Sequence, residues 1–156
     1  MAEYISINGN HIDPSSCFLM QFDGGCVPNP GKGCGSAVIY KNDAERSICL
    51  QGGIYLENST NNKAEYVGLI FGLEEAVKRN IHNLLIEGDS QLVIMQATRT
   101  WNVRNESLIE YHNLVRHLFK KFNYIGIRHI LRAKNKIADK LADEGIKRGE
   151  SFFITV

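Results

Sequence analysis

The chain has 156 residues, 44% of them hydrophobic and 22% charged, with a formal net charge of +1; this is one domain's worth of ordinary globular sequence, and it excludes a disordered, collagenous or coiled-coil chain. No apolar run reaches the ~18 residues that span a bilayer, and the opening Met1-Ala2-Glu3-Tyr4 has no basic leader, so an intracellular, cytoplasmic protein without membrane association is expected. The near-neutral total hides an asymmetry, because residues 1–97 hold 6 Lys/Arg against 11 Asp/Glu and residues 98–156 hold 12 against 6.

Residues 1–17 read as a polar leader. Phe18-Leu19-Met20-Gln21-Phe22-Asp23 then reads as a central strand running into the turn-rich stretch from Gly24 to Gly31. Extended stretches over about 34–41 and 46–56, separated by Lys41-Asn42-Asp43-Ala44, complete an antiparallel meander. Helical spacing begins after Thr60-Asn61-Asn62 and ends near Asn80, which places Glu65 in an early turn. A strand over 84–89, a helix over 90–98 and a second helix over 106–121 follow. A last strand over about 125–131 leads to a helix opening near Asn135, with Ile137, Ala138, Leu141, Ala142 and Ile146 on one apolar stripe. The order βββαβααβα implies an α/β fold with a mixed sheet covered by helices, formed by residues 18–150, with 151–156 as a C-terminal tail.

Two features carry no cofactor. Cys17, Cys26, Cys34 and Cys49 form no C-x-x-C pair and are expected as reduced thiols rather than disulfides or zinc ligands. Gly31-Lys32-Gly33 fits neither phosphate-cradling glycine pattern, so no nucleotide cofactor is expected.

The chemistry rests on acids at element ends. Asp23 and Asp89 each close an apolar strand, where the loops of open α/β sheets diverge and ligands gather. Adding Glu65 and Asp139 gives four carboxylates that a compact fold can bring together, and unpaired they would repel one another. Oxygen-only ligation favours hard divalent cations, Mg²⁺ with Mn²⁺ as an alternative, over zinc. From Arg116 to Lys136 the chain has seven cations, Arg116, Lys120, Lys121, Arg128, Arg132, Lys134 and Lys136, and no acid; such an excess suits a polyanion or a solvated helix face.

Asp23-Gly24-Gly25 followed by Asn29-Pro30-Gly31, then Thr60-Asn61-Asn62-Lys63-Ala64-Glu65, Gly88-Asp89-Ser90 and Asn135-x-x-Ala138-Asp139-x-Leu141-Ala142 together resemble type 1 ribonuclease H over about residues 18–148. The resemblance implies a five-stranded mixed sheet flanked by helices. It also implies a monomeric endonuclease that cuts the RNA strand of RNA/DNA hybrids with two metal ions, leaving 5′-phosphate and 3′-hydroxyl ends. By motif position Asp23, Glu65, Asp89 and Asp139 match the metal-binding catalytic carboxylates, Asn29, Asn61 and Asn62 the contacts to the RNA strand, and Thr60 and Asn105 the phosphate pocket for the DNA strand. Trp101 has two readings, a stacking surface for sugar or base and a core anchor.

The sequence departs from parts of the family in two places. Trp101-Asn102-Val103-Arg104 leaves no room for a basic handle helix, and only Arg132-Ala133-Lys134 precedes Asn135, so no flexible-loop histidine exists. His129 alternates with Ile125, Ile127 and Leu131 and is expected on the packed side of its strand. Asp143 and Glu144 are expected to face solvent. The competing readings are a catalytically silent nucleic-acid-binding module on the same fold and a DNA-acting integrase- or resolvase-like nuclease.

Overall fold

The computed structural model describes residues 3–155. Seven strands, β1 (Ile5–Asn8), β2 (Phe18–Val27), β3 (Gly31–Tyr40), β4 (Ile48–Ser59), β5 (Asn83–Gly88), β6 (Tyr124–His129) and β7 (Phe152–Thr155), form one sheet in the order β1-β6-β5-β2-β3-β4-β7. The helices are α1 (Asn61–Lys78), α2 (Gln91–Ala97), α3 (Glu106–Phe119) and α4 (Lys136–Arg148). Pairing is parallel between β2 and β5 and between β5 and β6, and antiparallel elsewhere. The mixed sheet is as expected, but it has seven strands rather than five.

Both additional strands come from segments read as a leader and a tail. Each is four residues long, too short for alternation to stand out from a polar stretch. β1 pairs with β6, and β7 pairs with β4, so these segments cover the two edges of the longer strands. β1 is also fixed by side chains. Tyr4 Oη donates to Glu87 Oε2 at 2.6 Å, and Arg128 lies over the Tyr4 ring and bonds the same carboxylate at 2.6 Å.

The larger core lies between the sheet and α1 to α3, where Met20, Phe22, Ile39, Tyr66, Leu69, Leu73, Ile86, Val115 and Ile127 are buried. A smaller cluster of Val38, Leu141 and Phe152 joins β3, α4 and β7. The stripe expected on α4 needs one amendment. Ala138, Leu141, Ala142 and Gly145 are buried, whereas Ile137 is exposed.

Helix starts follow their capping residues. Thr60, Ser90 and Asn105 each accept a backbone N–H of the first turn through the side-chain oxygen. α1 crosses β2 and β3 with backbone against backbone. A Cβ at Gly24 would lie 2.2 Å from the Ala64 carbonyl carbon, and one at Gly68 would lie 2.3 Å from the Asp23 carbonyl oxygen. This close approach brings α1, and Glu65 with it, against the end of β2. Among the described residues, no helix is long and apolar enough to cross a membrane.

Candidate active site

β2 runs on to Val27 rather than stopping at Asp23, because Gly24 to Val27 stay paired with Lys32 to Gly35 of β3. Asp23 therefore sits within a strand, where the parallel partner β5 ends and Phe22 faces Gly88. Asp89 follows directly on β5, and Glu65 reaches the same place from the second turn of α1. One carboxylate oxygen from each of Asp23, Glu65 and Asp89 lies within 4.8 Å of the others. Asp139, in the first turn of α4, lines the same cleft of about 370 Å³, whose wall also includes Asn61, Asn62, Ser90 and Arg132.

Electrostatics there are those of crowded, desolvated acids. Burial pushes Asp23 up from its ordinary 3.8 to about 6, with Asp89 and Asp139 adding to the rise. Glu65 is raised well above its ordinary value, first by burial and then by Asp23. Asp89 is raised by burial, against the opposing pull of Arg132 and Asn135. Arg132 stands 3.6 Å from Asp139. Glu65 Oε1 is buried and has no hydrogen-bond partner. Three clustered carboxylates, one of them with a buried oxygen that has no partner, make an all-oxygen donor set that fits a hard divalent cation.

Above the acids lies a small amide network. Asn61 Oδ1 accepts the Cys26 backbone N–H at 3.0 Å and the Cys26 thiol at 3.4 Å, and Asn29 Oδ1 accepts the same thiol at 3.4 Å and the Asn61 backbone N–H at 3.3 Å. Asn29 and Asn61 are both exposed, and both amide oxygens are engaged within this network. Cys26 is buried and serves both; sequence reading treated it only as a reduced thiol, although its place three residues after Asp23 was the available signal. All four cysteines are free. Asn62 is exposed at the cleft wall. Thr60 and Asn105 are exposed helix caps, Thr60 Oγ1 accepting Lys63 N–H at 3.2 Å and Asn105 Oδ1 accepting Ser107 N–H at 3.0 Å.

Trp101 is 41% exposed beside Arg99 and His112, which removes the core-anchor reading. Asp143 is exposed at the cleft wall and Glu144 pairs with Arg148. His129 is half-buried, with Nε2 donating to the Asp89 carbonyl at 3.1 Å, while Leu131 is 67% exposed; the pairing that sustains alternation ends at His129, opposite Gly88. Of the seven cations from Arg116 to Lys136, Arg116 donates to the Ala97 carbonyl, Arg128 is held by Glu87 and Arg132 stands beside Asp139, leaving Lys120, Lys121, Lys134 and Lys136 exposed.

The chain matches the Reverse transcriptase-like family over residues 21–145. It is 36% identical over 125 residues to ribonuclease HI of Halobacterium salinarum, covering 80% of this chain and 62% of that protein. It is 31% identical over 150 residues to ribonuclease H of Coxiella burnetii, covering 81% of this chain and 90% of the relative. Among solved structures it is similar to LC11 RNase H1 in complex with an RNA/DNA hybrid, at 27% identity and a TM-score of 0.78, over 84% of this chain and 97% of that one. With these relatives, and with acids from β2, α1, β5 and α4 meeting at one cleft, the chain belongs to the type 1 ribonuclease H family.

Proposed function

We propose that this chain is a metal-dependent endonuclease that hydrolyses the RNA strand of RNA/DNA hybrids and leaves 5′-phosphate and 3′-hydroxyl ends. The observation that carries the reading is the convergence of Asp23, Glu65 and Asp89 within 4.8 Å, with an unpartnered Glu65 oxygen, in a cleft completed by Asp139. These four would hold two Mg²⁺ ions, with Mn²⁺ as an alternative. When bound, such a pair supplies charge neutralisation and water activation for in-line displacement at a phosphodiester.

The chain's own groups account for recognition. Asn29 and Asn61, exposed and with their amide oxygens engaged, offer Nδ2 donors that suit the 2′-hydroxyls that distinguish RNA from DNA in a minor groove, with Asn62 exposed at the cleft wall. Thr60 and Asn105 accept backbone N–H groups as caps, which leaves the Thr60 hydroxyl proton and the Asn105 Nδ2 free to donate to DNA-strand phosphates. Lys134 and Lys136 add exposed charge along the approach to α4. The protein acts as a monomer without a nucleotide cofactor; Gly31-Lys32-Gly33 opens strand β3 rather than forming a cradle.

The test is digestion of a labelled hybrid, duplex RNA and duplex DNA side by side with Mg²⁺. Cleavage of the hybrid's RNA strand alone, abolished by EDTA and reduced by orders of magnitude in Asp89→Asn, is the expected result. Binding without cleavage would favour the silent module, and cutting of duplex DNA would favour the DNA-acting nuclease. Full activity in Asp89→Asn would refute the metal assignment.

A further inference from the structure

Asp139 differs from the other three acids in how it is held. Asp23 and Glu65 are buried and fixed by the backbone contact between β2 and α1, whereas the Asp139 side chain is 34% exposed and its position depends on where α4 lies. The apolar contacts of α4, Leu141 with Val38 and Phe152 and Gly145 against Cys34, are non-directional and would tolerate a slide along the helix axis.

Two buried hydrogen bonds do not tolerate it. Ser36, fully buried, lies directly opposite Asp23 in the β2–β3 ladder, and its Oγ donates to the carbonyl of Ala138 at 2.6 Å. Asn135, also fully buried, donates through Nδ2 to the carbonyl of Phe22 at 2.8 Å. Ala138 and Phe22 are the residues immediately before Asp139 and Asp23. The two bonds thus run in opposite senses, one from the sheet to the helix and one from the helix to the sheet, each ending one residue from an acid.

Burying a hydroxyl and an amide gains little net stability, since each bond replaces one to water, and Asn135 Oδ1 is left without a partner. What directional bonds supply that an apolar contact does not is a fixed register.

We propose that Ser36 and Asn135 are positioning residues: their two buried hydrogen bonds set the register of α4 against β2 and β3, and so fix where Asp139 stands relative to Asp23 and Asp89. The inference rests on reading the four acids as a metal site. Neither residue touches substrate, so their effect passes through metal affinity, and loss of such a supporting contact weakens metal binding by about tenfold.

The experiment is calorimetric titration of Mn²⁺ and Mg²⁺ into the substrate-free protein, wild type and Ser36→Ala, with melting temperature and the Mg²⁺ dependence of hybrid cleavage measured alongside. Ser36→Ala is expected to bind Mn²⁺ about tenfold more weakly and to need correspondingly more Mg²⁺ for half-maximal cleavage, with the KM for hybrid unchanged at saturating Mg²⁺. Ser36→Cys, which keeps the size and weakens the donor, should fall between the two, and it carries the test if the alanine variant does not fold. A lower melting temperature with unchanged metal affinity would overturn the proposal and leave Ser36 a packing residue. A wild-type protein that binds neither ion would overturn the metal reading itself, and the inference with it.

Discussion

Asp23 is a group whose removal should make the metal-free protein more stable. Its carboxyl is pushed by burial and by neighbouring acids from 3.8 to about 6, so the folded state holds the proton more tightly than the unfolded chain. For an acid raised in this way the stabilising contribution is complete below about pH 4 and is lost as the pH climbs through about 6. A shift of about two pH units at 1.36 kcal/mol each corresponds to about 3 kcal/mol lost by pH 8. Asp23→Asn cannot ionise and also relieves Glu65 of a charged neighbour. For a chain of this size 3 kcal/mol corresponds to ~6–12 °C in melting temperature. The assay is thermal melting in EDTA at about pH 5 and about pH 8, repeated with Mg²⁺. Wild type should melt lower at the higher pH, Asp23→Asn should fall by less because Glu65 and Asp89 remain as the raised acids there, and Mg²⁺ should restore wild type while doing less for the variant. An Asp23→Asn protein that melts at or below wild type at pH 8 in EDTA would refute the claim that uncompensated charge is buried there.

Three further outcomes follow from other parts of the molecule. Lys134→Glu with Lys136→Glu should weaken hybrid binding and lower the slope of log affinity against log salt by about 1–2, with no change in which strand is cut; an unchanged slope would make these lysines a solvated surface. His129→Gln should lower the melting temperature while leaving the cleavage rate of folded protein and its pH profile nearly the same, because His129 touches the Asp89 backbone and not its carboxylate; a hundredfold loss of rate at constant melting temperature would contradict this. Gly68→Ala should destabilise by ~1–3 kcal/mol by urea unfolding, since overpacking against backbone outweighs the ~1 kcal/mol that alanine gains in helix propensity, and a stabilised variant would show that α1 can retreat at little cost.

The sequence placed every helix and the five longer strands within a few residues, because each has a strong period or a capping signal such as Thr60 or Ser90. It stopped β2 too early. Gly24 and Gly25 read as turn residues, yet both are strand residues, and the missing side chain of Gly24 admits α1, a requirement set by a helix about 40 positions away in the chain. The meeting of Asp23, Glu65, Asp89 and Asp139 at one cleft was legible because each belongs to a motif in an ordered series, even though Asp23 lies within its strand rather than at its end. Cys26, Ser36 and Asn135 were not legible as contributors. Ser36 and Asn135 contribute bonds to backbone carbonyls and Cys26 contributes bonds to the side-chain oxygens of Asn29 and Asn61, all brought near by the fold, and neither a thiol, a hydroxyl nor an amide announces that in one dimension. His129 closes the β6 ladder opposite Gly88 and is half-buried there, whereas Leu131, beyond the paired residues, is exposed, because pleating dictates direction only as far as pairing runs.

The contact of α1 on the sheet has a consequence for how this protein can vary. Because Gly24, Gly35 and Gly68 put main chain against main chain, the gap between β2 and the helix bearing Glu65 is set by atoms that every amino acid shares. Leu69, Leu73 and Ile86 can therefore be exchanged for other apolar residues at a cost in melting temperature alone, with the distance between Asp23 and Glu65 left untouched. A library randomised across that interior, with the three glycines kept, should yield proteins of widely different stability that still cut at similar rates when folded.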